Sequence, residues 1–137
     1  MGKVLVVEDD EFNIQMWEEV LLKRVGLTAD QIVCAMSYPE ALAVVEAEGS
    51  SLVMVATDIN LGSAKTGLDL ISEILPNLPA VVVSSEDYDD PKVRLPIEQR
   101  RVRGALTLYC HKPVRLDDYA ANVLACLHQP AGANALA

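Results

Sequence analysis

With 137 residues the chain has the length of one domain, and its 51% hydrophobic content suffices for a core that needs neither disulfides nor metals. A formal net charge of −9 argues against the basic field that nucleic acid or an anionic membrane surface requires. The start enters strand-like sequence at once, with an acid by Glu8, and no apolar run reaches membrane-spanning length, so a soluble cytoplasmic chain without a signal peptide is expected.

Lys3 to Val7 is a β-branched run that stops at Glu8-Asp9-Asp10-Glu11, which reads as a strand with acids at its carboxyl end. Phe12, Met16 and Val20, with Ile14, Trp17 and Leu21 beside them, recur at helical spacing; Asp10 is the expected N-cap and Gly26 the stop. Gln31 to Ala35 reads as a second strand. Ser37-Tyr38-Pro39-Glu40 then combines a capping box with proline in the first turn, and predicts a helix to Glu48 with Leu42 and Val45 facing inward.

Leu52 to Asp58 is almost wholly apolar and ends on a carboxylate, as expected of a strand buried on both faces of a parallel sheet. A polar loop from Ile59 to Thr66 leads to a helix from Gly67 to Leu75, closed by Pro76 and Pro79. Ala80 to Val83 is a fourth strand, ending at Ser84-Ser85. Glu86 to Arg103 carries Pro91 and Pro96 and is not expected to form one straight, uninterrupted helix over its whole length. Its five basic residues, Lys92, Arg94, Arg100, Arg101 and Arg103, read most simply as a solvated helix face, with a docking patch for an acidic partner as the sharper alternative. Ala105 to Cys110 is a fifth strand, followed by His111-Lys112-Pro113 and a last helix from Leu116, whose stripe runs through Tyr119, Ala120, Val123, Leu124 and Leu127. Residues 1–128 are thus expected to form the domain and 129–137 a disordered tail. Cys34, Cys110 and Cys126, odd in number and set in apolar surroundings, are expected as buried thiols.

Strands alternating with helices predict a single α/β domain with a parallel sheet. If the doubly wound, flavodoxin-like order applies, the first and third strands are neighbours, and Asp9 and Asp58 converge at the switch point. Carboxylates brought together repel unless a cation sits among them, and an all-oxygen donor set without His or Cys suits magnesium. Mg2+, the Lys112 ammonium and the Ser84 hydroxyl around Asp58 are the parts that phosphoryl transfer to a carboxylate needs. Taken singly, these residues have ordinary structural readings: Asp9 and Asp10 as helix caps, Ser84 as a strand-end hydroxyl, Lys112 as a loop charge and Tyr109 as packing.

Together, VLVVEDD at 4–10, ATDINLG at 56–62 with Gly67 after it, AVVVSSE at 80–86 and YCHKPV at 109–114 resemble the receiver domain of two-component response regulators. The resemblance spans residues 3–128. It implies a five-stranded sheet of order 2-1-3-4-5 and a phosphoryl group passed from a sensor histidine kinase or histidine phosphotransfer protein to Asp58. It further implies Mg2+ held by Asp9, Asp58 and the Asn60 carbonyl, with Glu8 acting through water, and phosphoryl oxygens held by Ser84 and Lys112. A cis Lys112-Pro113 bond is expected. Ser84 and Tyr109 would form the switch, Asn60 and Glu86 would tune phosphoaspartate lifetime, and helix four, strand five and helix five would present the result to a downstream protein, or to a phosphorylation-dependent homodimer.

Such a chain is a phosphoacceptor rather than an enzyme acting on other substrates, and is read as a stand-alone receiver. The alternatives are a phosphorylation-independent interaction module of receiver shape, or a receiver cut from a longer DNA-binding regulator. A phosphohydrolase of the haloacid-dehalogenase kind expects an acid two residues after its nucleophile, where this chain has Asn60. Two departures from the family stand out: the proline-broken stretch after Ser84, and Lys65 in a loop that lacks the usual proline, where its ammonium would lie near the site.

Overall fold

The computed structural model describes residues 2–129. Five parallel strands, β1 (Lys3–Val7), β2 (Ile32–Ala35), β3 (Leu52–Asp58), β4 (Ala80–Ser84) and β5 (Thr107–His111), form one sheet in the order β2-β1-β3-β4-β5. This is the doubly wound arrangement expected, with the order reversing between β1 and β3. The helices are α1 (Glu11–Val20), α2 (Tyr38–Glu48), α3 (Gly67–Asp69), α4 (Pro91–Val102) and α5 (Leu116–Leu127). Both α1 and α3 run on into a π-helical turn, Leu21–Val25 and Leu70–Ile74. Gly26, at φ 87°, ends the first of these in the left-handed region that favours glycine.

Alternation along the strands splits the core into two layers. Val4, Val6, Met54, Ala56, Val81 and Val83 pack with Trp17, Val20 and Leu21 of α1 and its extension and with Tyr119, Val123 and Cys126 of α5. Leu5, Val7, Val55, Ala80 and Val82 pack on the other face with Tyr38 and Ala41, Leu68 and Ile71, and Val93 and Ile97. Trp17 stacks on Tyr119 with ring centroids 4.0 Å apart and planes 15° from parallel. The three cysteines are free: Cys110 and Cys126 are buried and Cys34 half-buried.

Several expectations are corrected. Phe12 is 72% exposed, because the buried side of α1 runs through Ile14, Trp17 and Leu21 and Phe12 lies on the opposite side of the helix. The stretch from Glu86 to Arg103 is, as expected, not one helix over its whole length: residues 86–90 lie outside α4, which then runs from Pro91 to Val102 with Pro96 inside it. Asp90 caps it, accepting from the Lys92 N–H at 3.0 Å, and Pro91 occupies the first turn where no N–H is needed. Pro96 removes only the bond to the carbonyl of Lys92, an exposed residue that water reaches. Arg100 is no part of a solvated face: it is 3% exposed and points into the molecule. Gln129 belongs to the fold rather than the tail, its Oε1 accepting from the Leu106 N–H at 3.3 Å; the disorder expected of 130–137 falls outside the described residues. Among the described residues no helix is long and apolar enough to cross a membrane.

Candidate phosphoacceptor site

Strand register builds the site. Val7 pairs with Thr57, so the next residues, Glu8 and Asp58, leave the sheet side by side. Both have the parity of Val6 and Ala56 and so continue the face covered by α1 and α5; Lys112, two positions after Cys110, does the same from β5. Ser84 and Tyr109 have the opposite parity, that of Val82 and the α2–α3–α4 layer. The carboxylates and the amine thus come from one face of the sheet, the hydroxyl and the phenol from the other.

Asp58 is 7% exposed. Its Oδ2 accepts from Lys112 Nζ at 2.7 Å and its Oδ1 from the Asn60 N–H at 3.2 Å. Lys112 Nζ also lies 3.7 Å from Glu8 Oε2, which is buried and has no hydrogen-bond partner. Oxygens of Glu8, Asp9 and Asp58 lie within 4.8 Å of one another. Burial first, then the charge of Asp58, pushes the Glu8 carboxyl up to about 7, with Lys112 opposing. Burial lowers the Lys112 ammonium, but its bond to Asp58 and the charges of Asp58, Glu8 and Asp9 outweigh this and leave it raised. The donor set fits a hard divalent cation: three carboxylates, one exposed to solvent, and a buried oxygen in want of positive charge. Glu8, Asp9, Asp58, Asn60, Ser84, Glu86 and Lys112 all line one cavity of about 260 Å³, together with Asp10, Asn13 and Ser85.

The loop after Asp58 is shaped around it. Asn60 Oδ1 accepts from the Gly62 N–H at 3.0 Å, and Gly62 has φ 70°. Gly67 donates to the Ile59 carbonyl at 2.8 Å and passes so close to the strand end that a Cβ there would stand 1.9 Å from the Asp58 carbonyl oxygen. Lys65 turns away to pair with Glu73 at 3.1 Å and does not line the cavity, so it is no part of the site. The Lys112-Pro113 peptide is cis, as expected.

On the opposite parity, Ser84 Oγ accepts from the Glu86 N–H at 3.0 Å, and the half-buried Tyr109 donates its hydroxyl to the Glu86 carbonyl. Burial and the nearby carboxylates of Glu86, Asp87 and Asp58 raise the Tyr109 phenol, while the Ser84 hydroxyl works the other way. Sequence reasoning missed Tyr88, whose ring centroid lies 5.3 Å from that of Tyr109, and the internal position of Arg100. Val93, Ile97 and Arg100 are spaced i, i+4, i+7, the phase of a single buried helix face, and that spacing is the signal that marks Arg100 among its basic neighbours.

A doubly wound sheet with an acidic cavity and a lysine at its switch point is the receiver-domain architecture, and comparison with solved structures gives the same result. The fold is similar to that of a response regulator receiver domain protein from Clostridium thermocellum (TM-score 0.73, 21% identity, 94% of this chain and 96% of that one). It is also similar to a CheY-like receiver domain protein from Methanospirillum hungatei (TM-score 0.71, 20% identity, 91% and 92%). A third is the N-terminal signal receiver domain of a two-component response regulator from Bacteroides fragilis (TM-score 0.69, 18% identity, 95% and 99%). At the level of sequence no family model matches the chain, and neither does any curated protein. The chain has the receiver-domain fold.

Proposed function

We propose that this chain is a response regulator receiver which accepts a phosphoryl group on Asp58 from the phosphohistidine of a sensor kinase or phosphotransfer protein. The observation that carries the reading is a single one: a buried carboxylate with a lysine ammonium 2.7 Å away and two further carboxylates within 4.8 Å, at the floor of a cavity open to solvent. Asp58 would attack phosphorus in line. The P–O bond forms as the donor P–N bond breaks, and the imidazole nitrogen leaves and takes up a proton from water. A carboxylate needs no general base to do this at neutral pH.

Asp9, Asp58 and the Asn60 carbonyl would hold Mg2+, with Glu8 behind them; when bound, the ion neutralises charge on the phosphoryl oxygens. Lys112 would keep its ammonium on the transferred group, and Ser84, whose Oγ accepts from the Glu86 N–H, would turn its own proton from the Tyr109 phenol to a second phosphoryl oxygen. Asn60 and Glu86, which line the cavity, would set how water reaches the phosphoaspartate. The chain would thus catalyse only its own phosphorylation and dephosphorylation, and would signal to a protein target through α4, β5 and α5.

Intact mass after incubation with acetyl phosphate tests this. One phosphoryl adduct that requires both Mg2+ and Asp58, and is absent from a folded Asp58→Asn variant, supports the reading. No adduct on folded wild type sinks it and favours an interaction module.

A further inference from the structure

Arg101, at the carboxyl end of α4, is not a free surface charge. Its Nε donates to the Thr107 carbonyl of β5 at 2.9 Å and its Nη1 to the Tyr88 hydroxyl at 2.9 Å, with the guanidinium carbon 5.7 Å from the Tyr88 ring centroid. Tyr88 belongs to the loop between β4 and α4, and its ring lies against that of Tyr109 at 5.3 Å and 51°. Tyr109 in turn donates to the Glu86 carbonyl, and the same residue's N–H donates to Ser84 Oγ. An unbroken set of contacts therefore joins a hydroxyl lining the Asp58 cavity to the last turn of α4.

The direction of the Ser84 bond gives this a consequence. A hydroxyl that accepts from a backbone N–H keeps one proton of its own, which it can turn from the Tyr109 phenol to an oxygen in the cavity. Fixing the backbone of Glu86 fixes that orientation, and the residue is held at its carbonyl by Tyr109, whose ring rests on that of Tyr88, whose hydroxyl Arg101 holds. Orientation set before binding lowers the entropy lost on binding.

Resting on the reading of Asp58 as phosphoacceptor, we propose that Tyr88 and Arg101 are positioning residues: through Tyr109 and the Glu86 backbone they hold Ser84 ready for a phosphoryl oxygen, and so couple occupancy of the site to α4. By reciprocity, whatever disturbs Arg101 weakens binding of the phosphoryl group, and occupancy of the site is felt at Arg101.

The test uses the whole chain and fluoroberyllate as the phosphoryl mimic, in the presence of Mg2+. Fluorine NMR reports bound fluoroberyllate; the Arg101 Nε–H resonance, assigned by its loss in Arg101→Lys, reports the far end. The expected result is a shift of that resonance on binding, and an affinity about tenfold weaker in Tyr88→Ala and in Arg101→Ala. Tyr88→Ala should cost less in a Ser84→Ala background than in wild type, which a merely structural role would not produce. Bound fluoroberyllate with an unmoved Arg101 resonance and wild-type affinities in both variants overturns the coupling and leaves the phosphoacceptor reading standing. No bound fluoroberyllate on folded wild type overturns both.

Discussion

At the amino-terminal ends of β4 and β5 the Arg100 guanidinium is enclosed and has four acceptors: the carbonyls of Ile71, Leu75 and Leu78 and the Thr107 hydroxyl. At the carboxyl-terminal ends of β1 and β3 the Glu8 carboxylate is just as deeply enclosed, 1% exposed, and its Oε2 has no hydrogen-bond donor. Both charges are shifted by burial toward neutrality, Arg100 down to about 10 and Glu8 up to about 7. They differ in whether the fold completes them. Arg100 closes off the carbonyls at the end of the third helix, where a cation also meets the negative end of the helix dipole. Glu8 is completed only by something from outside. A satisfied buried charge marks the frame of the molecule, and an unsatisfied one marks its working end.

The comparison breaks most readily at Arg100. Arg100→Ala strips four acceptors of their donor at once and should cost about 3–4 kcal/mol, read as a lowered urea midpoint. A loss of less than about 1 kcal/mol would mean that water replaces the guanidinium and that the site is not part of the frame. Gly67→Ala comes next, at about 2–3 kcal/mol, because the added methyl group must displace the Asp58 carbonyl. Unlike Arg100→Ala, it should also abolish the Mg2+-dependent adduct in protein that remains folded, since it moves Asp58 itself.

A pH titration sharpens the other side. The folded form prefers Glu8 protonated, so its contribution to stability is whole below pH 4.5 and is lost as pH rises through about 7, an effect on the order of 2 kcal/mol. Metal-free Glu8→Gln should lose this slope, and millimolar MgCl2 should restore the high-pH arm in wild type; a wild-type curve flat from pH 4.5 to 7.5 would show the carboxyl already satisfied. Smallest of all, Lys92→Ala and Arg103→Ala, both at exposed positions of the same basic stretch as Arg100, should leave the midpoint unmoved.

What sequence conveys here follows the same division. The strands were legible because β-branched apolar runs stop abruptly at polar residues, and the site because Glu8, Asp58, Ser84 and Lys112 each stand at such a stop. The features that escaped depend on contacts between distant segments. Nothing local says that Gly67 must clear the Asp58 carbonyl, or that of the two apolar stripes on α1 the one through Ile14, Trp17 and Leu21 faces inward and leaves Phe12 outside. Arg100 is an intermediate case: its type says surface, its phase with Val93 and Ile97 says core, and phase prevails because three backbone carbonyls wait there. Pro96 is carried inside α4 for a related reason, since the bond it forbids belongs to an exposed turn.

The stacked pair of Trp17 and Tyr119 lines a narrow gap together with Glu8 and Asp58. Trp17 is the single tryptophan of the chain and 4% exposed, so its emission comes from one chromophore in one environment. Positive charge arriving among the carboxylates changes the electric field across that indole. Every step of the proposed cycle, from metal entry to loss of the phosphoryl group, is therefore open to being followed in real time by the chain's own fluorescence, without a label.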